Sequence, residues 1–220
     1  MVLLNKIKSL FSYAVYFVRA RKSWTIPKKN KVLIYDEVNA SVFSKYFPHN
    51  NPEIFHVRGE ELNIWILFLS FFRRGKRKVA YEDCYIKRVC PKLIITFIDN
   101  SINFYSISQR HPSLKTLFIQ NGQRGYYADV FCILDKIKSK DLDKFTVDYM
   151  LTLGIVGGNH YANYIYGSII PAGSLKNNMM QLLLNSSKPN LMVLISQWHK
   201  NGFYAKGIFW NTESYSRQVD

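Results

Sequence analysis

The chain has 220 residues, of which 48% are hydrophobic and 20% charged. That balance excludes a disordered polypeptide, and the length sits at the upper end of one ordinary domain. Lysine and arginine outnumber aspartate and glutamate by 30 to 15, a formal charge of +15, which favours a phosphate-bearing partner (nucleic acid, anionic lipid or a phosphorylated metabolite) without choosing among them.

Residues 1–22 read as an amphipathic helix, with Leu3, Leu4, Ile7, Leu10, Phe11, Val15 and Val18 on its apolar face and Lys6, Lys8, Arg19, Arg21 and Lys22 off it. Up to residue 35 there are eight basic side chains and no acidic one. Such a helix can lie on an anionic bilayer, where each basic residue contributes about 1 kcal/mol, or pack on a domain with its charged side in water. Lys6 and Lys8 interrupt the stretch and no small-residue cleavage site follows, so it does not read as a secretory signal. The longest apolar stretch, Leu62 to Phe72, contains Asn63 and Ser70 and falls short of the roughly 20 residues of a membrane span. The expected location is cytoplasmic, peripheral on the inner face of the plasma membrane.

From Lys31 onward apolar runs alternate with helical segments. Val32–Tyr35 and Ile54–Val57 predict strands; Leu62–Phe72 predicts a helix closed by the basic run Arg73–Lys78; Tyr81–Val89 predicts a second helix ended by Pro91. Leu93–Ile98 is the clearest buried strand, followed by a helix over Asn103–Arg110 and a strand over Thr116–Ile119. Val147–Leu153 reads as a strand, Asn159–Tyr166 as a helix, and Ser168–Pro171 and Leu191–Ile195 as the last strands. This alternation predicts an α/β, Rossmann-like parallel sheet with helices on both faces. The expected organisation is a basic helix and linker over 1–30, a Rossmann-like domain over 31–185, and a linker with the start of a second domain over 186–220.

Polar clusters fall repeatedly where the expected strands end: Asp36-Glu37, Glu60-Glu61, Asp99-Asn100, Gln120-Asn121-Gly122 and Gly173-Ser174. The amino ends carry Lys31, Lys92 and Lys115 instead. In open parallel sheets ligands bind at the carboxyl edge, so that edge is the expected functional face. Asp99 follows a buried strand, where partial desolvation would suit a general base; Asn100 and Ser101 can equally cap the next helix. Gln120, Asn121 and Gly122 offer amide groups in a turn, and Arg124 can hold a phosphate or carboxylate with paired hydrogen bonds, unless it is an ordinary surface arginine. Asp36 and Glu37 could bind acceptor hydroxyls or simply begin a turn.

Other patterns are absent or weak. Neither a phosphate-binding loop nor a dinucleotide fingerprint occurs; Gly154, Gly157 and Gly158 follow a strand, but with the wrong spacing. Asp141-Leu142-Asp143 could hold a divalent metal, yet it lies among Lys138, Lys140 and Lys144 and reads as a solvated segment. The cysteines, Cys84, Cys90 and Cys132, lack zinc-site spacing and read as small buried thiols in a reducing compartment. His49, His56, His111, His160 and His199 have no ligand spacing and read as structural or surface groups. No metal or cofactor is expected.

Five segments in order carry a family resemblance: Lys92 to Asn100 (KLIITFIDN), Phe118 to Arg124 (FIQNGQR), Tyr149 to Gly154 (YMLTLG), Ile170 to Asn178 (IPAGSLKNN) and Leu194 to Trp198 (LISQW). Together they resemble bacterial surface carbohydrate (surface polysaccharide) biosynthesis proteins, a family that looks like GT-B glycosyltransferases and, more distantly, the glycerophosphotransferases of teichoic acid synthesis. The resemblance covers residues 30 to 198. It implies a two-domain transferase whose first domain holds a glycan or lipid-linked acceptor and whose second holds a nucleotide-sugar donor as co-substrate. The glycerophosphotransferases tend to carry a histidine where this chain has Asn121, so a histidine mechanism at that position does not carry over. The short sequence beyond the linker implies a truncated second domain, or a separate chain supplying the donor-binding half. Two other readings compete. One is a non-catalytic scaffold or remnant docked on a membrane or a transferase. The other is a nucleic-acid-binding protein, which the charge and interleaved aromatics allow, as around Arg73–Lys78; the basic residues are spread over the chain, and nucleic acid is not the expected partner.

Overall fold

The structure, a computed structural model, describes residues 18–43, 45–47, 51–73, 75–125, 129–138, 145–177, 203–205 and 208–210. The chain divides into two compact units, Met1–Met180 and Gln181–Asp220. In chain order the first contains β1 (Arg21–Ser23), β2 (Val32–Tyr35), α1 (Ala40–Phe43), β3 (Glu53–Phe55), β4 (Glu61–Asn63), α2 (Ile64–Phe71) and α3 (Arg77–Val89). It continues with β5 (Leu93–Thr96), α4 (Ile102–Tyr105), α5 (Ile107–Arg110), β6 (Lys115–Ile119), α6 (Val130–Lys138), β7 (Phe145–Thr152), α7 (Ile155–Ala162) and β8 (Ile165–Pro171). The described part of the second unit is an antiparallel pair, β9 (Phe203–Ala205) and β10 (Ile208–Trp210).

Six strands form one parallel sheet in the order β3-β2-β5-β6-β7-β8. The first connection steps one way along the sheet and every later one steps the other way. Right-handed crossovers therefore put α1 on one face and the later helices on the opposite one. The core agrees. Leu33, Ile94, Phe118 and Met150 face Tyr85, Val89, Phe104, Ile107, Leu134 and Tyr161. Val32, Ile34, Ile95 and Ile119 face the smaller cluster around Phe43 and Phe97. Alternate residues of each strand thus feed opposite layers, which is why these runs are apolar throughout. This is the Rossmann-like parallel sheet expected from the alternation, with unequal helical cover on its two faces.

Register places all the strand ends on one edge: Ile34 pairs with Ile95, Ile95 with Leu117, Phe118 with Met150, and Met150 with Ile169. Asp36, Asp99, Gln120 and Gly173 all follow ends on this carboxyl edge. Lys31, Lys92 and Lys115 stand at the opposite edge, tied through the backbone by Lys92 N to Lys31 O and Lys115 N to Lys92 O, both 2.9 Å.

Several elements differ from the sequence reading. Of the helix expected over 1–22, residues 1–17 lie outside the described residues, and Arg21–Ser23 is a strand paired in parallel with β4. That pairing also takes Leu62 and Asn63 out of the expected helix. Asn63 becomes the cap of α2, its side chain accepting from Ile66 N at 3.1 Å while its Nδ2 donates to Thr25 O at 2.7 Å. Glu60-Glu61 therefore does not belong to the rim of the main sheet; Glu61 pairs instead with Arg21 at 2.6 Å. The run Arg73–Lys78 does not simply close α2, because α3 already begins at Arg77 and ends at Cys90, a left-handed cap with φ of 54°. Asn103–Arg110 is two single turns, broken at Ser106, whose Oγ donates to Asn103 O at 2.8 Å. Val130–Lys138 was not expected as a helix. The helix expected over Asn159–Tyr166 starts earlier, at Ile155, and Ile165 already opens β8. Gly167 carries that strand past a bulge in β7: its φ is 154°, and a Cβ there would sit 1.7 Å from Val147 O. Leu191–Ile195 and Asp141–Asp143 lie outside the described residues.

Candidate functional site at the carboxyl rim

The loops after β6 and β7 enclose a cavity of about 350 Å³. Its lining comes from three stretches: Gln120, Gln123 and Arg124 after β6; Phe131 on α6; and Leu153, Gly154, Val156, Gly157, His160 and Tyr161 around α7. Gly157, His160 and Tyr161 share a face of α7 because they are spaced three and four apart. Gly154 caps α7, whose first turn is closed by Gly158 N donating to Gly154 O at 3.1 Å. The amides of the first turn are thus available as donors.

Asp99 lies beneath this cavity and is wholly buried. Arg124 grips it from the side, Nε donating to Oδ2 at 2.9 Å and Nη2 donating to Oδ1. The Tyr161 hydroxyl also donates to Oδ2, at 2.9 Å, and Tyr105 donates to the Asp99 carbonyl. Both carboxylate oxygens are therefore occupied. The bond from Asp99 holds the Arg124 guanidinium firmly charged despite partial burial. Burial, with the Asp99 charge adding to it, pushes the hydroxyls of Tyr161 and Tyr105 upward, so both stay protonated donors. A base needs an oxygen open to its substrate; the Asp99 carboxylate has none in this arrangement and acts as the post to which the cavity wall is tied.

Gln120 is also committed. Its Oε1 accepts from Leu153 N at 2.9 Å and its Nε2 donates to Gly122 O at 3.0 Å, locking the β6 and β7 loops together. Gly157 leaves room for it, since a Cβ there would lie 3.3 Å from Gln120 Oε1. Ser101, rather than Asn100, caps α4, accepting from Phe104 N at 3.3 Å, and Asn100 is exposed.

The other expected site residues gather elsewhere on the rim. The loop after β8 folds back so that Lys176 donates to Asn121 and lies over the Phe97 ring at 5.7 Å. Gly173 N donates to Thr152 O at 3.2 Å, and Ser174 Oγ accepts from Asn177 N at 3.3 Å. Asp36 and Glu37 stand at the end of β2. Asp36 is buried, paired with Arg58 at 2.7 Å, and strained at φ of 104°. Its Oδ1 has no hydrogen-bond partner among the described residues, and burial raises its carboxyl above the usual range even with Arg58 opposing. Glu37 pairs with His56 at 3.1 Å. None of Asp36, Glu37, Gly173 and Ser174 lines the cavity.

The sequence reading missed Gln123, Phe131, His160 and Tyr161. The signal was the Gly157–His160–Tyr161 spacing, hidden because α7 was expected further along the chain. Among the described residues, no three His, Cys, Asp or Glu side chains are grouped to hold a metal ion. Among them too, no helix is long and apolar enough to cross a membrane.

Residues 117–217 match the model of a protein family described as "putative O-antigen biosynthesis protein". The match begins in β6, takes in the cavity-lining residues and runs into the second unit, and it supports a part in surface carbohydrate biosynthesis. The segment Lys92–Asn100, with Asp99, lies outside it. No curated protein and no solved structure matches the chain.

Proposed function

We propose that this chain supplies the acceptor-binding side of a transferase of surface-polysaccharide assembly, akin to a GT-B glycosyltransferase. A sugar or polyol phosphate would pass from a nucleotide-activated donor to a hydroxyl held in the cavity at the carboxyl rim, with the donor bound by other residues or by a separate chain. The observation that carries this reading is that Arg124, among the described residues the one permanently charged side chain lining the cavity, is neutralised by Asp99. What remains is an aromatic wall (Phe131, Tyr161) with neutral hydrogen-bonding groups: the Gln123 amide, the His160 imidazole and the first amides of α7. That chemistry suits a neutral saccharide ring and its hydroxyls better than a nucleoside diphosphate.

In this proposal His160, exposed and set edge-on against Phe131 with ring centroids 5.6 Å apart, takes the proton from the acceptor hydroxyl. The freed oxygen attacks the anomeric carbon, or the phosphorus of a polyol-phosphate donor, and the nucleotide leaves with the bonding electrons. Asp99 is a positioning residue that fixes Arg124 and Tyr161.

Saturation-transfer NMR on the full chain, with short neutral oligosaccharides in one arm and uridine diphosphate in the other, tests the assignment. Saccharide signals that vanish in a Gln123→Ala, His160→Ala variant are expected. Nucleotide binding in the cavity, or no binding of either probe, would overturn it. A second reading has one observation in its favour: among the described residues, no carboxylate lines the cavity. In that reading the chain holds a glycan without transferring it, and His160→Ala leaves glycan assembly in cells unchanged.

A further inference from the structure

The surface around α2 is built unlike the rest of the fold. Of its eight residues only Ile66 and Ser70 are buried. Trp65, Phe68, Leu69 and Phe72 repeat at intervals of three and four, so they form one outward stripe, at 48%, 55%, 46% and 74% exposure. Pairing of β1 with β4, with Ser23 opposite Asn63, brings Trp24 alongside the start of this stripe, and Trp24 is 69% exposed. Cations border the other end: Arg73, Lys76, Arg77 and Lys78 are all exposed. Arg77 is folded over the Phe71 ring at 5.2 Å, with its Nη1 donating to Phe71 O at 3.1 Å. No acidic residue occurs from Leu62 to Tyr81, nor from Val18 to Tyr35, the two stretches that make the surface.

We propose that this stripe and its basic border are a docking surface for an anionic lipid bilayer. Aromatic and leucine side chains would enter the boundary between headgroups and acyl chains, and the arginines and lysines would meet lipid phosphates. Charge complementarity selects that occupant: a row of protruding apolar side chains edged by cations, with no carboxylate among them, matches an apolar interior beneath a sheet of negative charge. The stripe is centred on α2, whereas the sequence reading assigned any membrane contact to residues 1–22.

The test uses the full chain and sedimentation with vesicles of phosphatidylcholine containing phosphatidylglycerol, against vesicles of phosphatidylcholine alone. The wild-type chain is expected to pellet with the anionic vesicles. Phe68→Ser with Phe72→Ser should cut the partition coefficient about tenfold or more, since each phenylalanine loses burial in lipid. Lys76→Glu with Lys78→Glu should cut it on anionic vesicles only. Because substitutions on α2 could disturb folding, a second measurement stands beside these. In a chain with Trp24, Trp198 and Trp210 each changed to Phe, Trp65 emission should be quenched by brominated phosphatidylglycerol. Failure of the wild-type chain to bind, unchanged binding by the Phe68→Ser, Phe72→Ser variant, or an unquenched Trp65 would each overturn the proposal.

Discussion

Asp99 and Glu82 are both buried carboxylates, and their surroundings give them different jobs. Asp99 has an arginine on both oxygens and a tyrosine besides. Removing its charge strands the Arg124 guanidinium, so Asp99→Asn should lower stability by about 3 kcal/mol, the scale of a broken buried pair. Urea unfolding checks this; an unchanged midpoint would mean that Arg124 finds water instead. Glu82 meets Arg110 at 3.0 Å, but its Oε2 has no hydrogen-bond partner among the described residues. Burial pushes its carboxyl up to about 7, against the pull of Arg110. The folded state therefore binds a proton more tightly than the unfolded chain does. Stability from this group is full below its ordinary value of 4.5 and is lost as pH rises through about 7. Glu82→Gln should flatten the slope of unfolding free energy between those limits. Asp148 has the opposite sign: burial raises its carboxyl, yet bonds from Lys115, Thr116 and Ser108 more than offset this and leave it lowered. Its contribution is present above the ordinary carboxylate range and is lost as pH falls into acid.

At the scale of elements, α7 decides the shape of the cavity, and Gly158 decides how closely α7 can lie on β8. A Cβ at that position would stand 2.3 Å from Ile169 Cγ2 and 3.2 Å from Thr152 Oγ1. Gly158→Ala should therefore cost about 1–3 kcal/mol by overpacking and displace α7 from the rim. Gly154→Ala is the control, because nothing lies within 4 Å of a Cβ there and the change should stay within about 0.5 kcal/mol. Thermal unfolding of the two variants separates close packing from a general preference for glycine. The α2 segment shows how local signals can be misassigned. Its apolar run was legible as a helix, but the first residues belong to β4, because Arg21–Ser23 supplies a partner strand some 40 residues earlier. Pairing at such range leaves no mark in a short window of sequence.

For the whole molecule, the charge of +15 and the apolar stripe on α2 should be separable by salt. Screening shortens from about 10 Å at 0.1 M salt to about 3 Å at 1 M. Adding salt should weaken vesicle binding by the wild-type chain without abolishing it, whereas the Phe68→Ser, Phe72→Ser variant should lose its residual binding entirely. A salt titration of vesicle partition reads both limbs. The family match, from residue 117 to 217, covers β6 to β10, so the likeness to surface carbohydrate biosynthesis proteins rests on the half of the chain that contains the cavity.

The sheet, and the edge on which its polar loops gather, were open to reading from the residues alone. Each buried strand is a short apolar run that stops at a polar break, and parallel connection puts all such breaks on one side. The assignment of roles along that edge was not open in the same way. Asp99 resembles a base until Arg124 and Tyr161, 25 and 62 residues further on, are seen to occupy both of its oxygens. His160 is exposed, as a surface reading of it expects, but its place beside Phe131 on the cavity wall comes only from α7. Strand ends follow from local alternation of hydrophobicity; the company that a side chain keeps follows from crossovers and packing between distant segments, which only the folded chain brings together.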